Sequence, residues 1–161
     1  MLAFTDPAPD DPEGLGNVLA DYVDAGGRVV VCPYATVDSW RLQGRIMTSG
    51  YCPFLSQSGS GTGDSDWQIN GDDLELPLHP IFNGTDVSNL KFWVNLNIPV
   101  PVLDSGATVL AYDTYGNPAI AINSNGRVMA INFYPYGCAN DTFRDASKVI
   151  TNALLYLGGS I

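Results

Sequence analysis

The pattern of residues 15–32, LGNVLADYVDAGGRVVVC, is the clearest indication of the fold class of this chain. The apolar residues of its first half recur at the three- and four-residue spacing of one helix face: Leu15, Val18, Leu19, Tyr22 and Val23. Gly26-Gly27 ends the helix, and residues 28–32 form an apolar run typical of a strand buried on both faces. Together with a short apolar run at residues 2–5, the order strand, helix, strand predicts two parallel strands joined by a right-handed crossover.

The C-terminal part of the sequence is equally regular. Three strand-like runs, Thr108–Tyr112, Ala119–Ile122 and Val128–Phe133, are separated by turn-forming residues and predict an antiparallel meander. A helix follows, with its apolar face running from Phe143 to Leu157. We therefore expect an α/β fold: a three-layer flavodoxin-like sandwich, with a mostly parallel sheet and an antiparallel C-terminal meander.

The middle of the chain, residues 33–101, shows no comparable pattern. Residues 56–63, SQSGSGTG, are polar and low in complexity, which predicts a mobile loop. No Gly-Lys-Ser/Thr follows the glycines, so the loop does not have the sequence of a phosphate-binding loop. Phe92–Val94 is expected to form a short strand.

Composition narrows the class of protein. The 161 residues correspond to one domain. Seven basic residues against seventeen acidic ones give a net charge of −10, which excludes a nucleic-acid partner held by clustered Lys and Arg. No apolar run approaches the length of about 18 residues needed to enter a bilayer as a spanning helix, so no membrane insertion is expected.

Several segments, taken in order, resemble the ThuA-like branch of the class I glutamine amidotransferase-like superfamily. They are Leu19–Val31 with its Gly-Gly and buried strand, His79–Gly84 (HPIFNG), Pro118–Ile120 followed by Gly126–Val128, and Asp145–Leu157. β-Galactosidase trimerisation domains share much of this pattern. The resemblance implies a single domain over residues 1–161 that lacks the first strand–helix unit of the family.

The functional residues of that superfamily do not carry over to this sequence. Cys32 comes before Pro33 and lacks the flanking glycines of the amidotransferase nucleophile. Pro33 stands where the ThuA-like branch has a His, Val94-Asn95 aligns with its acidic pair, and Tyr136-Gly137 stands in place of a further His. The resemblance thus implies a domain whose catalytic positions are empty.

His79 is the single histidine and the one weak candidate for a catalytic residue. A Cys or Asp brought within hydrogen-bond reach would make it a general base, and Cys32 or Cys138 could supply the thiol. The alternative is that His79 caps or packs against the turn at Pro80.

Several of the aromatic residues Tyr34, Trp40, Tyr51, Tyr134 and Tyr136 follow expected strand ends. Because ligands of open α/β sheets bind outside the carboxyl ends of the strands, these side chains are candidates for a binding cleft that stacks on a sugar or peptide. The alternative is that they cover a thin core.

Four acidic residues are candidates for a calcium site. Asp64, Asp66, Asp72 and Asp73 could supply oxygen ligands, although their spacing does not fit an EF-hand and a solvated acidic loop is the alternative. No other cofactor is expected. A single His without a CxxC pair cannot complete a standard zinc site.

Other residues bear on location. Few lysines and many Asn, Ser and Thr favour an extracellular or cell-surface protein, although residues 1–4 have neither the charge nor the length of a secretory leader. Cys52 and Cys138 are candidates for a disulfide in an oxidising compartment, the alternative being two separate buried thiols. Asn83 and Asn140 begin sequons for N-glycosylation.

Three functions are consistent with the sequence. The first is a non-catalytic secreted or surface module that serves assembly, with other domains of a parent protein or with itself, or binds a ligand such as a carbohydrate. The second is a sugar-related hydrolase or isomerase that uses His79 with a nearby Asp or Cys. The third is a structural protein that self-assembles through an open sheet edge.

Overall fold

A computed structural model describes residues 1–3, 8–37, 41–57, 62–69, 79–87, 90–96, 101–113, 116–133 and 144–161. The central sheet has five strands in the order β1-β2-β9-β8-β7, formed by Leu2–Ala3, Val29–Val31, Val128–Ile131, Pro118–Ile122 and Thr108–Tyr112. β1, β2 and β9 are parallel, whereas β8 and β7 continue the sheet in antiparallel fashion. The expected α/β sandwich is confirmed. Among the described residues its sheet is mixed, with two parallel and two antiparallel pairings.

The strand–helix–strand unit predicted from residues 2–32 is present. Helix α1, Pro12–Asp24, starts where the carboxylate of Asp11 accepts a hydrogen bond from the Gly14 amide at 2.8 Å. Past its end the chain turns at Gly26, whose φ of 94° is readily adopted by glycine. All three β2 residues are fully buried, as expected for a strand covered on both faces.

The predicted meander is also confirmed. β8 and β9 are joined by a tight turn in which the buried Asn123 side chain accepts hydrogen bonds from the amides of Arg127 and Val128, both at 3.0 Å. Gly126 completes this turn with a φ of 69°.

Helix α2, Arg144–Gly158, covers one face of the sheet, and α1 covers the other. Val30 and Cys32 pack into the α2 core, while their neighbours Val29 and Val31 pack into the α1 core, because successive side chains of a strand point to opposite faces. Ala146, Val149, Ala153 and Leu157 form the fully buried stripe of α2, as its periodicity predicts. Neither helix in the described ranges is long and apolar enough to cross a bilayer.

The irregular middle predicted from sequence is in fact rich in strands. β3, Phe54–Gln57, pairs with β6, Pro101–Leu103, and β4, Thr62–Ile69, pairs with β5, Leu90–Leu96. The prediction of a short strand at Phe92–Val94 is confirmed within β5. The prediction of a mobile loop over residues 56–63 is wrong at both ends, since 56–57 belong to β3 and 62–63 to β4, and its centre, 58–61, lies outside the described residues.

The buried face of α1 also differs from the prediction. Leu19 and Val23 are buried as expected, but the other buried positions are the small residues Gly16 and Ala20. Leu15, Val18 and Tyr22 are 39%, 63% and 41% exposed. The helix is rotated away from its large apolar residues because Gly16 lets the backbone at Gln43 approach closely, at a point where a Cβ would overlap the Gln43 carbonyl.

Candidate functional site

The carboxyl ends of β1, β2 and β9 form the edge of the sheet at which open α/β folds bind ligands. Residues 32–37 follow β2 there, and Asn132 and Phe133 follow β9. Polar groups are buried at this edge, since Thr36 is 2% and Asn132 7% exposed.

Tyr34 has an unusual backbone at this edge. It is the one described non-glycine residue with a positive φ, at 69°. A left-handed conformation at a bulky residue stores strain, and such strain clusters at functional sites. The Tyr34 side chain is only 5% exposed, however, so its ring face is packed within the protein.

Two residues of the aromatic cleft predicted from sequence are described, Tyr34 and Tyr51, and they do not lie together. Tyr51 lies at the other end of the sheet from Tyr34, because its hydroxyl donates to Asp24 at 2.9 Å and Asp24 is the last residue of α1, just before β2 begins. Arg45 donates to the Tyr51 hydroxyl at 3.1 Å and forms ion pairs with Asp21 and Asp24. Trp40, Tyr134 and Tyr136 lie outside the described residues.

His79 caps the 3₁₀ helix Pro80–Phe82. Its Nδ1 accepts a hydrogen bond from the Ile81 amide at 3.4 Å, so its proton is on Nε2 when the ring is neutral. The ring packs edge-on against Tyr156, with a distance of 4.5 Å between the ring centroids. Burial lowers the pKa of His79, which favours the neutral form. These contacts match the structural alternative given above for this residue.

The described thiols do not meet His79. Tyr156 lies in the last turn of α2, and the neighbouring carbonyl of Leu157 accepts a hydrogen bond from Arg28, directly before β2. His79 is therefore at the amino end of the parallel strands, whereas Cys32 follows the carboxyl end of β2, roughly 13 Å further along the strand.

Cys52 is separated from His79 by the sheet itself, since it packs into the core on the α1 side. Burial raises the pKa of its thiol to about 12, which makes it a poor nucleophile. Cys52 forms no disulfide among the described residues, and Cys138 lies outside them, so the pairing of these two residues stays a prediction.

The remaining sequence candidates are dispersed. Asp64 and Asp66 lie on strand β4 rather than in a loop, Asp72 and Asp73 lie outside the described residues, and no cluster of three metal-ligating side chains occurs in the described part of the chain. Asn83 is exposed in a tight turn closed by a 3.1 Å hydrogen bond from the Thr85 amide to the Phe82 carbonyl, and Gly84 has a φ of 72°. Asn140 lies outside the described residues.

Sequence reasoning missed a buried carboxylate. Asp104, 4% exposed, follows β6 and accepts hydrogen bonds from the Ser49 hydroxyl at 2.7 Å and the Gly50 amide at 3.2 Å. The hydrogen bond from Ser49 is the main reason why its pKa lies below the ordinary value. The nearby Asn123 side-chain amide donates to the Gly50 carbonyl at 3.0 Å. These bonds fix residues 49–50 to the sheet, and no local pattern in the sequence indicates them.

A further feature is an apolar surface without charged side chains along β1 and the adjoining flank of α1, called here the edge surface. Among the strands of the described residues, β1 is the outermost one of the central sheet on this side. The edge surface comprises Met1, Leu2, Leu15, Val18 and Tyr22, which are between 39% and 63% exposed.

The contacts of the opposite flank of α1 show which way the edge surface faces. Asn17, Asp21 and Asp24 on that flank bind Arg45, and the segment that carries Arg45 packs toward β8 and β9. Helix geometry places Leu15 and Tyr22 on the side of α1 that faces away from β8 and β9, toward the β1 edge, and places Val18 beside them on the outer side of the helix.

Comparisons with known proteins identify the fold. No protein-family model and no curated protein sequence match the chain. The structure of PurLQS from Thermotoga maritima matches 89% of this chain and 68% of that chain, with a TM-score of 0.59 and 13% identity. The structure of a putative GMP synthase component from Thermoplasma acidophilum matches 88% of this chain and 65% of that one, with a TM-score of 0.47 and 14% identity. The first similarity shows that this chain has a class I glutamine amidotransferase-like fold.

Proposed function

We propose that this chain is a non-catalytic α/β module that acts in assembly, by docking another polypeptide on the edge surface. The observation that carries this proposal is the coincidence of an outer strand with an uncharged apolar flank on the helix beside it. An outer strand offers unpaired backbone groups, and the largest exposed apolar patch of a soluble protein is often a functional surface.

The positions of His79 and of the two described thiols support the non-catalytic part of the proposal. A nucleophile and its base must lie about 3 Å apart, but His79 and Cys32 are at opposite ends of β2, and Cys52 is on the other face of the sheet. The Nδ1 atom of His79 is already used by the backbone of Ile81.

Within the amidotransferase-like fold, the ThuA-like branch remains our proposed placement, on the Gly-Gly strand and the HPIFNG segment. Secretion or surface display is likewise part of the proposal and rests on composition.

The test is a turnover assay of the purified chain with glutamine and with chromogenic esters and glycosides. The wild type is compared with His79→Ala and His79→Asn. Asn can accept the hydrogen bond from the Ile81 amide, so it keeps the cap and removes only the imidazole. We expect no turnover above the blank. Turnover in the wild type that both variants abolish would show that His79 is a catalytic base and would replace this proposal by the hydrolase or isomerase hypothesis.

Ligand binding at the carboxyl ends of β2 and β9 is a second candidate function, favoured by the strained backbone of Tyr34. A thermal-shift screen with Ca²⁺, Zn²⁺ and a panel of sugars tests it. A ligand that binds only the native state at 100 times its Kd adds about 2.7 kcal/mol of stability, which raises the Tm of a domain of this size by about 5–10 °C. No shift with any ligand contradicts this second function.

A further inference from the structure

We infer that the edge surface docks a second copy of this chain, in a two-fold symmetric dimer that joins the β1 strands and packs the α1 helices against each other. The inference rests on the proposed assembly function and names the partner that this surface takes.

Backbone geometry provides the first reason. The Val30 and Cys32 amides donate to the Met1 and Ala3 carbonyls at 2.8 and 2.9 Å, so residues 1 and 3 of β1 face β2. The N–H and C=O of Leu2, between them, point away from β2 toward the open edge. Two Leu2 residues related by a two-fold axis would exchange both hydrogen bonds, which is the arrangement of a directly opposed pair in an antiparallel ladder.

The position of α1 provides the second reason. α1 connects β1 and β2 and packs over them, in the same core as Ala3, Val29 and Val31. Adjacent strands are about 4.8 Å apart, so a two-fold axis half a spacing outside β1 lies about 5 Å from the axis of α1. The two α1 helices would then be about 10 Å apart, which is within the usual range for helices in contact. Their facing flanks carry Leu15, Val18 and Tyr22.

The size and charge of the surface provide the third reason. Its five residues together expose roughly 450 Å² per copy. A stable interface buries about 800 Å² per partner, so the area fits a reversible dimer rather than an obligate one. None of these five residues has an acidic side chain, so they add no carboxylate to the contact between two copies of a chain whose net charge is −10. We expect a Kd in the micromolar range, because this area is smaller than that of a standard stable interface.

Sedimentation velocity between about 1 and 300 μM, a range that brackets this Kd, is the primary test. The wild type should shift from monomer to dimer. Val18→Glu, which places a charge on the edge surface, should weaken the association at least about tenfold, since two charges would be desolvated in the dimer. Leu155→Glu is the matched control, because Leu155 is 40% exposed on the other helix, which covers the opposite face. It should associate like the wild type.

Covalent trapping gives an independent measurement. Val18→Cys in a Cys138→Ser background should form a disulfide-linked dimer under mild oxidation, whereas Leu155→Cys in the same background should not. A wild type that stays monomeric to about 300 μM, with no trapping at position 18, overturns the inference of a second copy. A dimer that Val18→Glu leaves intact overturns it as well. Neither result changes the outcome expected in the turnover assay, which tests the non-catalytic proposal separately.

Discussion

Gly16 lies in the middle of α1, where alanine would ordinarily stabilise a helix, yet we expect Gly16→Ala to destabilise this protein. An alanine Cβ would lie 2.9 Å from Ile46 Cγ2 and 3.0 Å from the Gln43 carbonyl carbon, against 3.4–4 Å for ordinary contact, and would overlap the carbonyl oxygen. Ile46 is fully buried, and the Gln43 amide donates to the Pro12 carbonyl at 3.0 Å, so neither neighbour moves freely.

The magnitude follows from three contributions. Alanine gains about 0.5–1 kcal/mol over glycine in a helix. Overpacking of a tight site costs about 1–3 kcal/mol, and displacing the Gln43 backbone weakens a hydrogen bond with a net value of about 0.5–1.5 kcal/mol. We expect a net loss of about 2 kcal/mol in the free energy of unfolding, which lowers the Tm of a chain of this length by about 4–8 °C.

Urea unfolding followed by circular dichroism measures this change, and Gly158→Ala is the matched control. Gly158 is the last residue of α2, and a Cβ there would meet no atom closer than 3.8 Å. We expect it to gain about 0.5 kcal/mol from helix propensity alone. If Gly16→Ala were as stable as the wild type or more stable, the close approach of α1 to Gln43, and with it our explanation of the rotated helix, would be refuted.

Three further predictions concern buried polar groups and thiols. Asp104→Asn should lower the free energy of unfolding by about 1–3 kcal/mol at pH 7. This loss should shrink as the pH falls below about 4. The pKa of Asp104 is lowered in the folded state, so its carboxylate stabilises the fold above the unfolded pKa and ceases to do so as the pH falls through the folded pKa. Urea unfolding at pH 7 and pH 3 checks this, with exposed Asp10→Asn as control, and an equal loss at both pH values contradicts it. Asn123→Ala should lower the free energy of unfolding by about 2–4 kcal/mol, because three hydrogen bonds of a buried side chain are removed. Asn123→Asp, which keeps the acceptor for two of them, should lower it less in the same assay. In protein whose disulfides have been reduced, Cys52 should resist iodoacetamide at pH 8 until urea unfolds the chain, because it is buried and its pKa is raised to about 12; peptide mass spectrometry of the native protein would contradict this if it found rapid modification.

Much of the fold could be predicted because its signals are local. The run Val29–Val31, the turn at Gly26-Gly27 and the meander turns each lie within a few residues of the structure that they determine. β3 to β6 could not be predicted in the same way. β3 pairs with β6 from more than forty residues away, and such a partner is chosen by tertiary packing rather than by periodicity.

The candidate site was harder to predict for a related reason. His79, Tyr51 and Tyr34 all have the chemistry of functional residues, and their sequence positions do not indicate which end of the sheet each one occupies. That placement follows from long-range contacts: Tyr156 against His79, and Asp24 against Tyr51. The strain at Tyr34 has no sequence signal either, since tyrosine is an unusual residue for a left-handed backbone.

The edge surface could be predicted only in part, because its residues follow a local helix pattern but their exposure depends on how α1 packs in the fold. Periodicity predicted that Leu15, Val18 and Tyr22 face the core, and they are exposed because the small residues Gly16 and Ala20 occupy the buried stripe instead. A sequence that keeps large apolar residues on a helix flank while burying small ones is explained if that flank has a partner of its own. Gly16→Ala and Val18→Glu separate the two roles of α1, since the first should lower stability and leave association unchanged, whereas the second should weaken association and leave stability unchanged. A variant pair that changed both quantities together would mean that the core face and the flank of α1 are not independent.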